Sequence, residues 1–270
     1  MDRRRLRIRL GRLTAALLGV IIVSACGPEA EQARWVPAPG IDWQWQLQGE
    51  LDTTQQVPVW GLDMGAPRSS ITALRSRGAR LICYFSAGTR ESWREDAEDF
   101  PPHVVGRTWS LWPDEQFVDY RRLEDVGPIM EARLDRCRDA GFDAVEPDVI
   151  DSFTEPTGFA LRQADARRYL EWLIEKAHSR GMSIALKNTP ELADVPVDFA
   201  IVEDCFADRW CDRLAPIAGR GKAILAAEYT DRVSSISAFC EDANRAGISV
   251  ILKDRDLALP QRSSCASPRQ

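Results

Sequence analysis

Short apolar runs alternate with longer amphipathic stretches from Ile41 to Asp256. Several of the amphipathic stretches end next to a glycine, the residue that most readily turns the end of a helix into the following strand. Most of the apolar runs are continuous and do not alternate with polar residues, as expected of strands that are buried on both faces. The pattern indicates repeated strand–helix units around a parallel sheet.

The pattern predicts eight strands: Val59–Asp63, Arg80–Ser86, Phe117–Arg121, Ala144–Asp148, Ser183–Asn188, Phe199–Asp204, Ala223–Tyr229 and Ser249–Asp254. Helical periodicity and glycine stops predict four helices: Arg68–Arg77, Val126–Ala140, Gln163–Arg180 and Val233–Ala246. This is an α/β chain, and eight strands predict a single (β/α)8 TIM-barrel domain over residues 41–262, followed by a tail over 263–270. A doubly wound open sheet is the alternative, but its glycine-rich phosphate loop is missing after Asp63.

The first 25 residues are typical of an export signal. Six arginines precede an apolar run, Leu13–Val23, that is shorter than the roughly 20 residues needed to cross a bilayer. The run ends in Val-Ser-Ala followed by Cys26, which resembles the lipobox of bacterial lipoproteins. We therefore expect cleavage after residue 25, a lipid on Cys26 that anchors the protein to a membrane, a tether over residues 26–40, and a cell-surface or outer-membrane location. An ordinary cleavage site followed by a free or disulfide-bonded Cys26 is the alternative.

The net charge of the chain indicates which kinds of partner it can bind. Removing residues 1–25 takes away six arginines and one aspartate, so the formal charge changes from −6 to −11. A nucleic-acid partner is not expected, since the remaining basic residues are dispersed among acids and do not form a phosphate-binding cluster. The acidic balance favours a cationic ligand.

Six cysteines remain after Cys26, an even number that predicts disulfides in an exported chain. Cys205 with Cys211 would close a short loop, and Cys240 with Cys265 would hold the C-terminal tail, which leaves Cys83 with Cys137 as the least secure of the 15 possible connectivities. Zinc is the competing explanation, but the chain has no C-x-x-C spacing and only two histidines. We expect no metal and no cofactor.

Polar residues follow the predicted strands at the edge where a barrel carries its catalytic groups. In chain order they are Asp63, Tyr84, Asp119, Glu146, Asp148, Asp151, Lys187, Asn188, Glu203 and Glu228. So many carboxyl groups around one opening cost stability unless they are used, although a cap or turn role is the alternative for any single acid. Asp148 and Glu203, on the fourth and sixth strands, are placed to face each other. Opposed carboxylates without a histidine partner predict cleavage of a glycosidic bond.

Other chemistries lack the residues they need. His103 lies in a proline-rich loop, and His178 lies near the end of a helix, where a cation suits the helix dipole. Ser86 lacks the sequence context of a nucleophile elbow. Nine tryptophans offer aromatic faces that suit sugar rings, although about half of them are expected to plug the barrel or brace loops.

The sequence resembles glycoside hydrolase family 114. The resemblance extends from Asp42 to Lys253 and rests on six ordered segments: Trp43–Leu47, Ile82–Thr89, Gly141–Asp148, Ala185–Asn188, Val202–Phe206 and Ala227–Tyr229. It implies a barrel that cleaves α-1,4-linked galactosamine polymers internally, with retention of configuration, so the expected partner is a galactosamine-containing polysaccharide.

The resemblance also implies roles for single residues. Asp148 matches the position proposed as nucleophile and Glu203 the position proposed as acid/base, while Glu146, two residues earlier on the same face, leaves the choice of nucleophile open. The expected substrate contacts are Asp63, Tyr84, Asp119, Glu146, Asp151, Lys187, Asn188 and Glu228. The chain departs from the family at Val149, where many members have asparagine. Two alternatives stay open: a surface lipoprotein that binds polysaccharide without cutting it, and a barrel hydrolase of another α-linked glycan.

Overall fold

The structure, a computed structural model, describes residues 34–265. The predicted signal peptide, the lipidation site Cys26 and residues 266–270 lie outside this range. Eight parallel strands form a curled sheet with the neighbour order β1-β2-β3-β7-β8-β9-β10-β11. They are β1 Trp43–Gln46, β2 Val59–Asp63, β3 Arg80–Ser86, β7 Ala144–Asp148, β8 Ser183–Lys187, β9 Phe199–Glu203, β10 Ile224–Tyr229 and β11 Ile248–Lys253.

The curled sheet closes between its first and last parallel strands. The indole N–H of Trp43 on β1 donates to the carbonyl of Ser249 on β11 at 3.1 Å, and the amide of Leu47 donates to the carbonyl of Leu257 at 3.0 Å. The fold is the predicted TIM barrel. Within residues 34–265, five α-helices accompany the strands: α1 Arg68–Ser76, α2 Leu123–Ala140, α3 Gln163–His178, α4 Ala215–Ala218 and α5 Cys240–Ala246.

A small antiparallel sheet is inserted between β3 and β7. It consists of β4 Thr89–Glu91, β5 Val105–Thr108 and β6 Glu115–Val118, with β6 in the centre. The prediction that Phe117–Arg121 is a barrel strand is therefore wrong, because this segment contributes only its first two residues to β6. Its hydrogen bonds go to β4 and β5 instead of to barrel neighbours.

The strand β1 was missed because of its glutamines. Its sequence alternates tryptophan and glutamine, yet all four side chains are buried. Gln44 donates to the carbonyl of Pro260 at 2.8 Å, and Gln46 donates to the carbonyls of Gln48, Glu50 and Ala258. The polar face of the strand is thus satisfied by the loop that follows β1 and by the segment around residues 258–260, which is distant in sequence.

Two apolar layers lie on opposite faces of the barrel wall. Inside the barrel a compact cluster includes Trp43, Trp45, Ile82, Phe199 and Tyr229. A larger cluster packs the outer faces of the strands against the helices. Because successive residues point to opposite faces of a strand, each strand sends alternate residues inward, and the last inward residue reaches the carboxyl-end opening.

The disulfides agree with the predicted pairing. Cys83 on β3 is bonded to Cys137 on α2, Cys205 to Cys211 in the loop after β9, and Cys240 on α5 to Cys265. The last of these holds β12, Ser263–Ser264, which pairs antiparallel with β11. Residues 263–265 are thus attached to the barrel, beyond the predicted domain boundary at residue 262.

The fourth predicted helix is shorter than expected, since only Cys240–Ala246 of Val233–Ala246 is α-helical. The amide of Ser237 donates to the hydroxyl of Ser235 at 3.1 Å, and such local side-chain bonds compete with helical ones. Among residues 34–265, no helix has both the length and the apolar character needed to cross a membrane.

Candidate active site

A cavity of about 660 Å³ opens at the carboxyl ends of the barrel strands, within the size range of ligand sites. Seven of the predicted site residues line it: Asp63, Tyr84, Asp148, Asp151, Lys187, Asn188 and Glu203. They come from five of the eight barrel strands and from the segments that follow those strands. Asp119, Glu146 and Glu228 do not line the cavity.

Lys187 lies at the centre of a buried charge cluster. Its ammonium nitrogen is 3.1 Å from Glu146 Oε1, 3.3 Å from Asp148 Oδ2 and 3.3 Å from Glu203 Oε2. It also lies 4.6 Å from the centre of the Trp45 ring. Burial lowers the pKa of this lysine, but the three carboxylates outweigh burial and raise the pKa well above its ordinary value. Lys187 is therefore a permanent cation that joins the two candidate catalytic groups.

Asp148 is held by donors from its own turn and from the neighbouring strand. Its Oδ1 accepts the backbone N–H of Val149 at 2.8 Å, and its Oδ2 accepts the hydroxyl of Tyr84 at 3.0 Å. About a fifth of its side chain is exposed, towards the cavity. Fixed donors on both oxygens orient the carboxylate without blocking its approach to a ligand.

Glu203 is held from both sides. Its Oε2 accepts the side-chain N–H of Asn188 at 2.6 Å, and its Oε1 accepts the hydroxyl of Tyr229. The backbone N–H of Glu203 in turn donates to Asn188 Oδ1 at 2.9 Å. Burial raises the pKa of Glu203, but Lys187, Tyr229 and Asn188 outweigh burial and leave the pKa below its ordinary value.

Each of the three central strands turns sharply directly after its functional residue. Val149 follows Asp148 at φ 64°, Asn188 follows Lys187 at φ 47°, and Asp204 follows Glu203 at φ 51°. Asparagine and aspartate adopt this left-handed region readily, whereas a β-branched residue is a true outlier there. Val149 therefore carries backbone strain beside the cavity, as functional sites often do.

Glu146 lies beneath the cavity floor. Its side chain is fully buried, and neither of its carboxyl oxygens makes a hydrogen bond of good geometry within the described residues, although Lys187 is 3.1 Å away. Burial, only partly offset by Lys187, raises its pKa to about 8. Because Glu146 does not reach the cavity, the structure does not support its predicted role as a substrate contact, and it leaves Asp148 as the exposed member of the pair.

Two other predicted substrate contacts face away from the cavity. Asp119 pairs with Arg121 at 2.7 Å, which lowers the pKa of Asp119 despite its burial. Glu228 accepts the backbone N–H groups of Phe206 at 2.9 Å and Ala207 at 3.1 Å, so it supports the loop after β9. The structure thus places neither acid at the cavity, since Asp119 does not follow a barrel strand and Glu228 occupies an outward position on β10.

Asp63 lines the cavity, but its carboxylate is already ion-paired with a cation of the protein. Arg94 donates to both carboxylate oxygens of Asp63, at 3.2 and 2.7 Å, and is paired with Glu91 as well. Asp63 also caps its own turn by accepting the N–H of Gly65 at 2.7 Å. This acid therefore has less free charge to offer a ligand than its position suggests.

The cavity contains residues that the sequence did not single out. Tyr229 is the inward neighbour of Glu228, and the continuous apolar run before it hid which of the two faces inward. Arg255 lies 4.2 Å from the centre of the Tyr229 ring. Glu115 comes from the inserted sheet, and burial raises its pKa to about 7. Burial and the charge of Asp148 likewise raise the pKa of Asp151 to about 7.

The arrangement suits chemistry between two carboxylates. Asp148 Oδ2 and Glu203 Oε2 share the Lys187 ammonium, so these two oxygens lie no further apart than twice 3.3 Å. The two histidines are elsewhere, with His103 paired to Asp125 and His178 to Asp198. Within residues 34–265 no group of three histidine, cysteine or acidic side chains is arranged to hold a metal ion.

Comparisons with known proteins agree with this geometry. The sequence profile of glycoside hydrolase family GH114 matches residues 25–268. The crystal structure of Aspergillus fumigatus Ega3 in complex with galactosamine is 31% identical, covers 86% of this chain and 98% of its own, and superposes with a TM-score of 0.78.

A more distant match shows the same fold. The glycoside hydrolase domain of PelA from Pseudomonas aeruginosa is 16% identical, covers 83% of this chain and 97% of its own, and has a TM-score of 0.64. No match was found among curated protein sequences. The profile match over most of the chain and the similarity to Ega3 together establish that this chain is a glycoside hydrolase belonging to family GH114.

Proposed function

We propose that the protein cleaves α-1,4-linked galactosamine-containing polysaccharide at internal positions, with retention of configuration. The observation that carries the proposal is the pair Asp148 and Glu203, joined by Lys187 in the floor of an open acidic cavity. Asp148 acts as the nucleophile and Glu203 as the acid/base.

The proposed reaction has two steps. Asp148 Oδ2 attacks the anomeric carbon, the glycosidic C–O bond breaks, and protonated Glu203 gives its proton to the leaving oxygen. Glu203, now ionised, then removes a proton from water, which attacks the anomeric carbon and releases Asp148. Lys187 contacts both carboxylates and stabilises whichever of them carries the charge at each stage.

The separation of the two carboxyl groups supports retention. Retaining enzymes hold theirs about 5–5.5 Å apart, and inverting enzymes about 6.5–9.5 Å apart to admit a water. The upper bound of twice 3.3 Å that Lys187 sets on the distance between Asp148 Oδ2 and Glu203 Oε2 is compatible with the first arrangement.

The charge of the cavity supports a cationic substrate. Eight acids line the cavity together with the cations Lys187 and Arg255, and although Asp63 and Glu91 are already paired with Arg94, acids remain in excess. The acids are Asp63, Glu91, Asp114, Glu115, Asp148, Asp151, Glu203 and Asp256. A galactosamine polymer carries ammonium groups that such a surface attracts. The complex of the similar protein Ega3 contains galactosamine, which agrees with this choice.

A panel of polymers tests the substrate, with product masses as the readout. Partly deacetylated α-1,4-galactosamine polymer should give a ladder of short oligomers, whereas fully N-acetylated polymer, chitosan and amylose should stay intact. Proton NMR of the first products should show the α-anomer before it equilibrates. Release of the β-anomer would overturn retention, and cleavage of amylose alone would overturn the substrate.

The proposal includes export and a lipid on Cys26. The three disulfides support an oxidising compartment, since such bonds are rare where thiols are kept reduced. Labelling cells with an alkyne fatty acid should mark the wild type in the membrane fraction and leave Cys26→Ala unlabelled. Equal labelling of the two proteins would contradict an anchor at this residue.

A further inference from the structure

Three tryptophans of the inserted sheet line the cavity, and we call them the tryptophan platform: Trp93, Trp109 and Trp112. Trp93 follows β4, while Trp109 and Trp112 lie in the turn between β5 and β6. None of them comes from a barrel strand. The inserted sheet therefore adds an aromatic surface to a cavity whose floor is built from charged strand ends.

Two members of the platform are exposed to an unusual degree. Trp93 is 58% exposed and Trp112 is 44% exposed. Large exposed apolar side chains are few among residues 34–265, and three of the four, Trp93, Leu111 and Trp112, lie in this part of the chain. Clustered exposure of this kind marks a binding surface more often than isolated apolar residues do.

The platform is held by a rigid support. The amide of Ser92 donates to the carbonyl of Asp114 at 3.0 Å, which ties the segment after β4 to the turn before β6. Within that turn the amide of Trp109 donates to the carbonyl of Glu115 at 2.9 Å. Arg94, next to Trp93, is ion-paired with buried Glu91. A surface fixed in this way loses little conformational entropy when it binds a ligand.

The neighbouring charges indicate the occupant. Asp114 lies in the same turn as Trp112, and Glu115 is the first residue of β6, where it accepts the hydroxyl of Thr89. Both acids line the cavity, and neither forms a salt bridge with a cation of the described residues. An amino sugar matches this combination, because its CH face can pack on an indole while its ammonium group meets a carboxylate. The platform is continuous with the cavity that contains Asp148 and Glu203, so a bound polymer can occupy both.

We propose that the tryptophan platform binds amino-sugar residues of the polymer beyond the sugar that is cleaved. Trp93 and Trp112 supply the stacking faces, and Asp114 meets the ammonium group. This inference rests on the proposed hydrolysis of galactosamine polymers and adds a specificity for long chains. Binding free energy gained at the platform is available only to a chain that extends from the catalytic pair to the inserted sheet.

The test compares chain lengths. Trp93→Ala and Trp112→Ala should each lower kcat/KM on the long polymer about 10-fold, equivalent to about 1.4 kcal/mol, and leave kcat/KM on a chromogenic disaccharide within twofold of wild type. Leu111→Ala is the matched control, since Leu111 is 72% exposed in the same turn but does not line the cavity. An equal loss on both substrates, or no loss on the polymer, would overturn the proposal.

A binding experiment separates this proposal from the proposed hydrolysis. Calorimetric titration of deacetylated polymer onto Asp148→Asn should give a Kd about 10-fold tighter than onto Asp148→Asn combined with Trp93→Ala and Trp112→Ala. Equal Kd values would refute the platform, whatever the hydrolysis assay shows. If wild type cleaves no polymer and the Kd values still differ, the proposed hydrolysis is refuted and binding at the tryptophan platform is supported. Asp114→Asn should weaken binding of deacetylated polymer and leave binding of the N-acetylated form unchanged.

Discussion

Val149 offers a direct test of how the turn beside the nucleophile is built. It is a β-branched residue at φ 64° and ψ 27°, a left-handed conformation that costs an ordinary residue roughly 1–2 kcal/mol. Asparagine tolerates this conformation far better. We predict that Val149→Asn stabilises the folded protein.

The magnitude follows from two opposing terms. Relief of strain contributes about 1–2 kcal/mol, and loss of valine packing subtracts part of this. The subtraction is small, because Val149 is buried but belongs to neither of the two apolar clusters of the described residues. The expected net gain is about 1 kcal/mol, which raises Tm by roughly 2–4 °C in a domain of this size.

The assay is thermal unfolding under non-reducing conditions, followed by circular dichroism. Val149→Thr is the matched control, because threonine keeps the β-branch and the volume while adding a polar atom. The threonine variant should show no gain in Tm. A lower Tm for Val149→Asn, or equal gains for the two variants, would refute the strain argument.

Three further predictions concern the disulfides and the buried carboxyl groups. Cys83→Ala combined with Cys137→Ala removes a disulfide that closes a loop with a sequence separation of 54, so the free energy of unfolding should fall by about 4 kcal/mol. Denaturant titration measures this loss, and a loss below about 1 kcal/mol would contradict the prediction. The pKa of Glu146 is raised from 4.5 to about 8. Between these two pH values the folded state binds more protons than the unfolded state. The free energy of unfolding should therefore fall as the pH rises through this window. Glu146→Gln should flatten this dependence in pH-resolved denaturation, whereas Asp99→Asn, at an exposed acid, should leave it unchanged. Glu203 must be protonated to act as an acid while its pKa is lowered, so kcat/KM should be highest at acid pH and fall as the pH rises. Tyr229→Phe removes one cause of that lowering and should move the falling limb of kcat/KM to higher pH, and an unmoved limb would argue against Glu203 as the acid.

The barrel could be predicted because most of its strands are recognisable from the local pattern of apolar residues. Seven of the eight strands are apolar runs that end at a glycine-bounded helix or a polar residue, and buried parallel strands require such runs. The strand β1 is the exception. Its two glutamines are buried against loop carbonyls distant in sequence, a long-range arrangement that no local pattern shows.

The candidate site was predicted in part, and the failures have physical causes. Asp148, Lys187 and Glu203 are the last residues of their strands, so topology alone brings them together. Glu228 was wrongly placed in the cavity because a continuous apolar run does not reveal which alternate residues face inward. The inserted sheet brings Trp93 and Glu115 to the opening through pairing of β4 with β6, which the sequence did not predict.

Release of reducing ends from deacetylated α-1,4-galactosamine polymer tests whether Asp148 and Glu203 together cleave the glycosidic bond. We predict steady release by wild type and losses of at least about 1,000-fold in Asp148→Asn and in Glu203→Gln, since each substitution removes a group that takes part in bond cleavage. Asp119→Asn, at an acid outside the cavity, should keep near wild-type activity and shows that the assay tolerates a lost carboxylate elsewhere. Equal release by wild type, Asp148→Asn and Glu203→Gln would contradict the assignment of these two carboxyl groups as the catalytic pair.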